Sequence, residues 1–587
     1  MQAAADQALG DNIAPRGVAG RARSPMAIVG MSCRFPGSRG AEAYHRSLIG
    51  GADLFSPPPR ERWPWCGNDR IAVPKVGALD DVLDFDNGLF RLSPREAETI
   101  DPHQRVMLEE AWLAIENAGY APEEFRRRST GTFVAMYNQD FQFYARAGDW
   151  DEISRIYLAA GSARSLVPNR ISYVFDFRGP SEIVDTACSS ALVAVHRAVE
   201  AIRNGECEQA VVGAVSLLLE PSRLVMLQEL GLLSPSGECA PFDRDSGGQV
   251  LGEGVAALVI KPLEAALDDR DTIHALILAN GVNHQGASSG GLTRPDAAAQ
   301  ADLVRQTYRR HGLDPRQVAY VEAHGNGGGG DLSELLAFQA VFAEGVRIGS
   351  VKGNIGFLEA AGGMSQIIKI VMAIRRGMVP GTRGHRSIVE DTELRPGACR
   401  ILSENIAVRE LSAGIGQAAF TAAVHAYGLG GCNAHIVLSE PPPPPAVDPA
   451  PDRLPILLSG DEADDLREQA ERLLQWLDRE APESLADLAF TLAAGRSHRA
   501  CRRAFLVSSR SELALRLCDL ARGATQPQHA GEDGAGPPDD RVGAAARRWL
   551  AGETVDWGEV LKAGRRTAID PTPLRRRYLP LPNVRAE

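Results

Sequence analysis

The sequence predicts an α/β protein with a second, smaller domain behind a proline-rich linker. Between residues 26 and 440, short apolar runs typical of buried strands alternate with amphipathic runs typical of helices. Five consecutive prolines, Pro441 to Pro445, then mark a semi-rigid boundary. Of the 587 residues, 44% are hydrophobic and 24% are charged, which indicates a folded globular chain rather than a disordered or fibrous one.

Composition also argues against several classes of function. The 63 Lys and Arg against 75 Asp and Glu give a net charge of −12, so we expect no nucleic-acid partner. No apolar run reaches the ~18 residues of a membrane span, and Met1 to Ser24 lacks the apolar segment of a secretory signal. The nine cysteines show no zinc-type spacing, so we expect no metal site and a reduced, cytoplasmic location.

Five segments are predicted along the chain. Residues 1–25 are a flexible lead-in, and residues 26–440 form the main domain. Residues 441–453 are the linker, 454–540 a small α/β domain, and 541–587 a tail with one short helix. The predicted strands are Met26 to Gly30, Gly131 to Met136, Ser181 to Val184, Gln209 to Val215, Val255 to Ile260, Val318 to Glu322, Leu454 to Gly460 and Arg503 to Ser508.

Cys188 is the candidate nucleophile. It lies in a small-residue turn between the strand Ser181 to Val184 and an apolar helix that runs through Ala198. A helix N-terminus favours thiolate, so we expect a lowered pKa for this thiol. A thiolate so placed can perform acyl transfer. The alternative is a buried structural cysteine.

His324 closes a predicted strand and opens a glycine-rich run, Gly325 to Gly330. A histidine at this edge can serve Cys188 as a hydrogen-bond partner or base, although a structural histidine is the alternative. The same run loosely fits G-x-G-x-x-G before the predicted helix Leu332 to Phe342, which leaves a nucleotide-binding oxidoreductase as a further alternative.

Two other segments carry polar groups that suit acyl chemistry. Lys352 can supply positive charge near an active site, although a solvated lysine is the commoner case. The glycines around Leu429 allow a tight turn whose N–H groups can face an oxyanion, and the alternative is a simple turn between strands.

Together these motifs resemble the β-ketoacyl synthase domain of modular polyketide synthases, in the thiolase superfamily. The resemblance covers most of residues 26–440 and includes Ala27 to Gly37, Asp101 to Arg105 and Asn169 to Tyr173. It implies a thiolase-like α/β/α/β/α layered fold of two similar halves and a homodimer. The small domain resembles the adaptor that follows such synthases, and the tail resembles the linker that packs back on the ketosynthase. Since no acyltransferase lies between them, the chain resembles synthases whose acyltransferase acts in trans.

The family uses a Cys-His-His triad, and the resemblance assigns Cys188 as the nucleophile and His324 as the first histidine. The position of the second histidine is Phe357 here. Phenylalanine neither donates a hydrogen bond nor accepts a proton, so it cannot polarise the thioester of a malonyl extender. Loss of one oxyanion donor commonly costs ~10²–10³ in rate.

Other positions depart from the family pattern in the same direction. Asn326 and Gly328 stand where two threonines contact the phosphopantetheine arm of the carrier protein. Tyr427 and Leu429 stand in the gate motif in place of phenylalanines, and Leu251 replaces an arginine. The nucleophile half of the site is therefore retained, while the extender half is altered.

The resemblance thus implies a non-elongating ketosynthase. Cys188 would accept an acyl chain from an upstream acyl carrier protein and pass it to a downstream one, with the N–H of Leu429 as an oxyanion donor and Lys352 in support. No cofactor is expected to bind directly, and neighbouring synthase domains are expected partners. The alternatives are a catalytically silent scaffold for dimerisation and docking, and a condensing enzyme in which another residue, such as His425, replaces the second histidine.

Overall fold

The computed structural model describes residues 24–63, 66, 70–126, 128–288, 290–444, 449–479, 484–523, 541–570 and 572–584. Nearly all of the predicted lead-in, residues 445–448 of the linker and residues 524–540 of the small domain lie outside the described residues. None of the helices in the described part combines the length and apolar character needed to cross a bilayer.

Ten strands form the body of the main domain. Strands β1 to β10 are Met26–Phe35, Thr130–Ala135, Ser181–Val184, Gln209–Ser216, Gly254–Pro262, Ala275–His284, Tyr320–Glu322, Val346–Gly349, Thr421–Tyr427 and Cys432–Ser439. The small domain contains β11, Leu454–Gly460, and β12, Cys501–Val507. Short pairings of two or three residues are Ser38–Arg39, Asp84–Phe85, Met378–Val379, Cys399–Ile401, Ile406–Ala407 and Arg577–Tyr578.

Helices connect and cover these strands. In the first half of the main domain, α1 to α9 are Ala41–Ile49, Pro94–Glu98, Pro102–Asn117, Phe141–Ala147, Glu152–Gly161, Leu166–Phe175, Ser190–Arg203, Ser222–Glu229 and Leu263–Asp268. In the second half, α10 to α14 are Ala297–His311, Asp331–Val341, Lys352–Ile355, Gly362–Arg376 and Val408–Ala413. The small domain and tail contain α15 to α19, which are Ala463–Arg479, Leu485–Ala494, Arg510–Ala521, Arg541–Leu550 and Trp557–Val560.

The main sheet has two halves with the same strand pattern. The first half has the order β3-β2-β4-β5-β1, in which β2 is parallel to both neighbours and the other pairs are antiparallel. The second half has the order β8-β7-β9-β10-β6, with β7 parallel to both neighbours and the other pairs antiparallel. The short strand Cys399–Ile401 extends this half beyond β8, to which it is parallel. The halves join where β1 pairs with β6. The prediction of two similar halves is confirmed.

The alternating faces of the strands produce five layers. Met26 and Ile28 of β1 belong to a central core that contains α7, α13 and residues from both sheet halves. Ala27 and Val29 face the opposite way, into a core shared with α3 and α6. Helices α10 and α11 cover the outer face of the second half. The order is therefore α/β/α/β/α, as predicted, with α7 and α13 in the middle.

The small domain and the tail both contact the main domain. Strands β11 and β12 pair antiparallel, and the core they share with α15 to α17 also takes in α18, α19 and Ile569 of the tail. Arg577–Tyr578 pairs with Asp84–Phe85 of the main domain, and Leu579 is buried in the core of the first half.

Candidate active site

Cys188 lies in a single 3₁₀ turn, Ala187–Ser189, between β3 and α7. Ala187 has φ +54°, a left-handed conformation that is uncommon for a residue with a side chain. Ser190 Oγ accepts a hydrogen bond from the Thr186 N–H at 2.8 Å and donates to the Ala187 carbonyl at 2.5 Å. The turn is therefore held by side chains of the helix that follows it, and it presents Cys188 where the sequence predicted.

The surroundings of Cys188 disfavour the thiolate at rest. Burial and the carboxylate of Glu359 raise the pKa of the thiol to about 11. The backbone N–H groups of Leu429 and Cys188 oppose this shift, as does the charge of Arg223. The predicted lowering of the thiol pKa is wrong, because desolvation and Glu359 outweigh these two N–H groups and Arg223. The same two N–H groups donate toward the sulfur itself.

His324 lies at the end of β7 and is enclosed by aromatic rings. Its ring centroid is 4.2 Å from that of Tyr427 and 5.4 Å from that of Phe357, which meets it edge to face. The N–H groups of His324 and Gly325 donate to the carboxylate of Glu334 at 2.7 and 2.9 Å. Burial holds the pKa of His324 well below its usual range, with smaller effects of Lys352 and His425. The imidazole is therefore neutral near pH 7.

Phe357 and Leu251, two of the departures from the family pattern, belong to one apolar cluster. They pack with Trp63 and several aliphatic side chains, and Cys188 borders the cluster. The Phe357 N–H donates to the Val250 carbonyl at 2.7 Å, which fixes the backbone that carries the ring. The space beside the nucleophile on this side is apolar and filled.

Backbone N–H groups of the glycine-rich loop donate to the carboxylate of Asp331, the residue that follows the loop, instead of pointing outward. Asp331 accepts the N–H groups of Asn326 and Gly327 at 3.0 and 3.1 Å. The Asn326 side chain accepts the Gly328 N–H at 3.0 Å. Because a carboxylate already occupies the N–H groups, the loop is poorly suited to a phosphate, which disfavours the nucleotide-binding alternative.

Tyr427 fills the space that the loop leaves open. A Cβ added to Gly330 would lie 2.2 Å from the Tyr427 hydroxyl oxygen. The hydroxyl therefore takes up the volume of a side chain at position 330, next to His324.

Lys352 and His425 are both buried. The Lys352 ammonium is 1% exposed and has no hydrogen-bond partner among the described residues, and burial lowers its pKa against the charges of Glu322 and Glu334. The solvated alternative for Lys352 is therefore wrong. His425 contacts Phe338 of α11 at 5.4 Å, with its Nδ1 3.3 Å from that of His435. It lies against the outer helix, and these contacts give no support to His425 as a replacement for the second histidine.

The sequence analysis missed a polar group beside Cys188. Glu359 is fully buried and accepts hydrogen bonds from Arg223, at 2.9 and 2.7 Å, and from the Tyr137 hydroxyl. Arg223 and Glu359 are 136 residues apart, so no local pattern links them. The one signal was an acidic residue in the otherwise apolar stretch Leu358 to Gly363.

Likeness to known proteins decides the family. The models of the N-terminal and C-terminal domains of β-ketoacyl synthase match residues 23–266 and 274–386. The ketosynthase from module 6 of the bacillaene synthase of Bacillus subtilis 168 is 30% identical, with 95% of this chain and all of that chain covered and a TM-score of 0.83. The chain belongs to the β-ketoacyl synthase family. The oxazolomycin ketosynthase domain OzmH KS7 of Streptomyces albus JA3453 is 31% identical, with 95% and 99% of the two chains covered and a TM-score of 0.84.

The curated relatives place this ketosynthase domain among modular polyketide synthases. Polyketide synthase PksR of Bacillus subtilis is 35% identical over 84% of this chain, and ThaG of Burkholderia thailandensis is 38% identical over 81%. The chain spans 20% and 9% of the lengths of those two relatives. The model of the RhiE-like KS-MAT linker domain matches residues 457–524, within the small domain.

Proposed function

We propose that this ketosynthase transfers an acyl chain through Cys188 without decarboxylative condensation. The observation that carries the proposal is Phe357. This residue stands where the family resemblance places the second histidine, and it packs edge to face against His324 within an apolar cluster.

The geometry supports thioester exchange at Cys188. Attack of the sulfur on an acyl thioester places negative charge on the carbonyl oxygen. The N–H groups of Cys188 and Leu429, which lie beside the sulfur, can donate hydrogen bonds to that oxygen. Collapse of the intermediate forms the Cys188 thioester and breaks the bond to the donor sulfur, which takes up the proton that the Cys188 thiol loses. The same steps in reverse pass the chain to a second thiol, and no decarboxylation is required.

Elongation needs a further polar group, which Phe357 and Leu251 do not supply. Decarboxylation of a malonyl thioester builds charge on its carbonyl oxygen, and this charge must meet a hydrogen-bond donor. Neither side chain has a donor or acceptor. The neutral, aromatic-enclosed imidazole of His324 would act alone.

A catalytically silent scaffold is the second candidate. Two observations favour it. Tyr427 fills the space beside the glycine-rich loop. Burial and the Glu359 carboxylate together raise the pKa of the Cys188 thiol to about 11. Under this reading, Cys188 would not be acylated at all.

Partners follow from the same proposal. Acyl carrier proteins would deliver and accept the chain on phosphopantetheine, and neighbouring synthase domains would flank it. A homodimer is supported by β3, which ends its half of the sheet, and by exposed apolar side chains on the preceding helices α5 and α6. Among these, Tyr173 is 85% exposed and Ile156 is 72% exposed.

The test is the intact mass of the protein after incubation with acyl-pantetheine thioesters, in parallel with Cys188→Ala. We expect one acyl mass on the wild type and none on the variant. Carrier protein is then added, either with a free phosphopantetheine thiol or loaded with malonyl. The chain should move to the free thiol unchanged, and malonyl should neither lose carbon dioxide nor gain the chain.

Each alternative predicts a different result. A product longer by two carbons would show condensation and refute the proposal. Absence of acyl mass across a broad set of thioesters would favour the scaffold. Acylation that persists in Cys188→Ala would move the nucleophile to another residue.

A further inference from the structure

A buried polar cluster lies next to the nucleophile turn. Glu359 is its centre, and its carboxylate accepts two hydrogen bonds from Arg223, one from the Tyr137 hydroxyl and one from Asn138 at 3.3 Å. Arg223 also donates to the Tyr137 hydroxyl at 2.7 Å, and its guanidinium carbon lies 5.2 Å from the centre of that ring. Both oxygens of this carboxylate thus accept from side chains of other parts of the fold.

The cluster is joined to Cys188 through two strained turns. Glu359 opens the 3₁₀ turn Glu359–Ala361, which contacts the turn Ala187–Ser189 that holds Cys188. Glu359 and Ala187 both adopt left-handed φ angles, +48° and +54°. A non-glycine residue is held in this region only when its surroundings fix it, and such positions concentrate at functional sites. The cluster therefore fixes the carboxylate against the turn of the nucleophile.

The two charges of the cluster act on Cys188 in opposite directions. The titratable and charged groups that face its sulfur are Glu359, Arg223, Tyr137 and Tyr427. Burial holds the pKa of both tyrosines well above their usual range, so both hydroxyls stay neutral. Negative charge near the sulfur comes from Glu359, and the positive charge that opposes it comes from Arg223.

The exposure of the pair is asymmetric. The Glu359 side chain is 1% exposed and the Arg223 side chain 25% exposed. The electrostatic interaction of a buried carboxylate with a nearby group is strong, because water does not screen it. His324 does not supply a compensating charge, since its burial keeps the imidazole neutral. Arg223 therefore takes the place that a protonated histidine often has beside a reactive cysteine.

We propose that Arg223 and Glu359 are opposed positioning residues that set the fraction of Cys188 present as thiolate. Arg223 favours the thiolate, Glu359 opposes it, and the ion pair between them fixes the balance. The inference rests on Cys188 as the nucleophile of the proposed function, but its test reads the thiol itself and does not require acyl transfer.

The test is the pH dependence of iodoacetamide alkylation at Cys188, followed on its peptide by mass in the full chain. The sulfur displaces iodide to form the S–C bond, and the thiol proton goes to the buffer, so the rate follows the thiolate fraction. Glu359→Gln should shift the alkylation profile to lower pH, and Arg223→Gln should shift it to higher pH. A shift of one pKa unit changes the thiolate fraction tenfold. A more acidic thiol is also a weaker nucleophile, which cancels about half of that change on a logarithmic scale of rate. We therefore expect a rate change of about threefold per unit near pH 7.5, in opposite directions.

Three control variants separate electrostatics from structure. Tyr137→Phe removes a hydrogen bond to Glu359 without changing charge, and it should leave the position of the profile close to wild type. Arg197→Gln breaks another half-exposed ion pair, with Glu182 and Glu206, on the helix that follows Cys188, and it should have no effect. Arg223→Lys keeps the positive charge, so its alkylation profile should stay close to that of the wild type.

Shifts of the same sign in Glu359→Gln and Arg223→Gln, or no shift in either, would overturn the inference. A shift in Tyr137→Phe equal to that in Glu359→Gln would show that packing, not charge, controls the thiol. If Glu359→Gln does not fold, the comparison of Arg223→Gln with Arg223→Lys still decides. Failure of acyl loading in the wild type alongside opposed alkylation shifts would refute the proposed function and leave this inference standing.

Discussion

At the scale of single residues, the contact between Tyr427 and Gly330 links a departure from the family pattern to the glycine-rich loop. The Tyr427 hydroxyl sits where a side chain at position 330 would lie. The centre of the phenol ring in turn lies 4.2 Å from that of the His324 ring, with the two rings tilted by 41°. A tyrosine at 427 and a glycine at 330 are therefore interdependent, and neither is a neutral surface change.

This dependence predicts a coupling between two substitutions. Gly330→Ala should lower the free energy of unfolding by about 1–3 kcal/mol, because the added Cβ overpacks against the buried Tyr427 side chain. Tyr427→Phe removes the hydroxyl, which is the nearest atom to the added Cβ at 2.2 Å, and leaves the ring carbon at 2.9 Å. Gly330→Ala should thus cost less in the Tyr427→Phe background. Denaturant unfolding of the four proteins measures the coupling, and strict additivity would show that the hydroxyl does not fill this space.

The residue scale also shows where sequence reasoning reaches its limit. The position of Cys188 could be predicted because strand, small-residue turn and apolar helix follow one another within eighteen residues. The direction of its pKa shift could not, because it depends on burial and on Glu359, which the fold brings from the second half of the chain. The Arg223–Glu359 pair was missed for the same reason.

At the scale of elements, the crossing of α7 and α13 positions both halves of the site. Helix α7 begins directly after the Cys188 turn, and α13 follows the turn that contains Glu359. The helices meet closely at Gly363, where an added Cβ would lie 2.9 Å from Leu192 and 3.0 Å from Ala191. The distance between the two turns therefore depends on a glycine at this crossing.

Adjacent glycines at the start of α13 provide a matched test of this crossing. Gly363→Ala should lower the free energy of unfolding by about 1–3 kcal/mol, since the Leu192 and Ala191 side chains of α7 leave no room for the added Cβ. Gly362→Ala places its Cβ 3.8 Å from the Phe357 ring, an ordinary contact, and should be close to neutral. Denaturant unfolding compares the two variants. Equal losses would show that helix-start geometry, rather than the crossing with α7, requires glycine.

Elements with a local signature could be predicted from the sequence, and elements without one could not. The bounds of β3 and β11 match the predicted strands. Helix α16, Leu485–Ala494, was not predicted. Seven of its ten residues are buried, so it lacks the polar face that gives a helix its periodic pattern. Its signal in the sequence is an apolar run, which strands and buried helices share.

At the scale of the whole molecule, each half of the sheet contributes one of the two candidate catalytic residues. Cys188 follows β3 of the first half, and His324 follows β7 of the second. The identical strand order of the halves was expected from the family resemblance and not from periodicity, because β7 and β8 have only three and four residues. Short buried strands of this kind carry little pattern of their own.

The return of the tail to the main domain gives the last prediction, which concerns Arg566. Its guanidinium lies 3.7 Å from the centre of the Tyr120 ring, donates to the Gly119 carbonyl at 2.6 Å and pairs with Glu124 at 3.0 Å. Charged hydrogen bonds at part-buried sites contribute about 1.5–3 kcal/mol each, and a desolvated cation–π contact about 2 kcal/mol. These contacts offset the conformational entropy that the tail would gain on release. Their loss should therefore let the tail open locally while the main domain stays folded.

Arg566→Ala should therefore raise amide hydrogen exchange across residues 562–570 and near Gly119, while exchange in the central helices α7 and α13 stays unchanged. Lys562→Ala is the matched control, because Lys562 pairs with Glu559 in a solvent-exposed contact and should leave exchange as in the wild type. Exchange followed by peptide mass in the full chain reads both regions at once. If Arg566→Ala exchanges like the control, the tail is held by its apolar contacts, such as Leu579 in the core of the first half, and Arg566 only orients the segment before it.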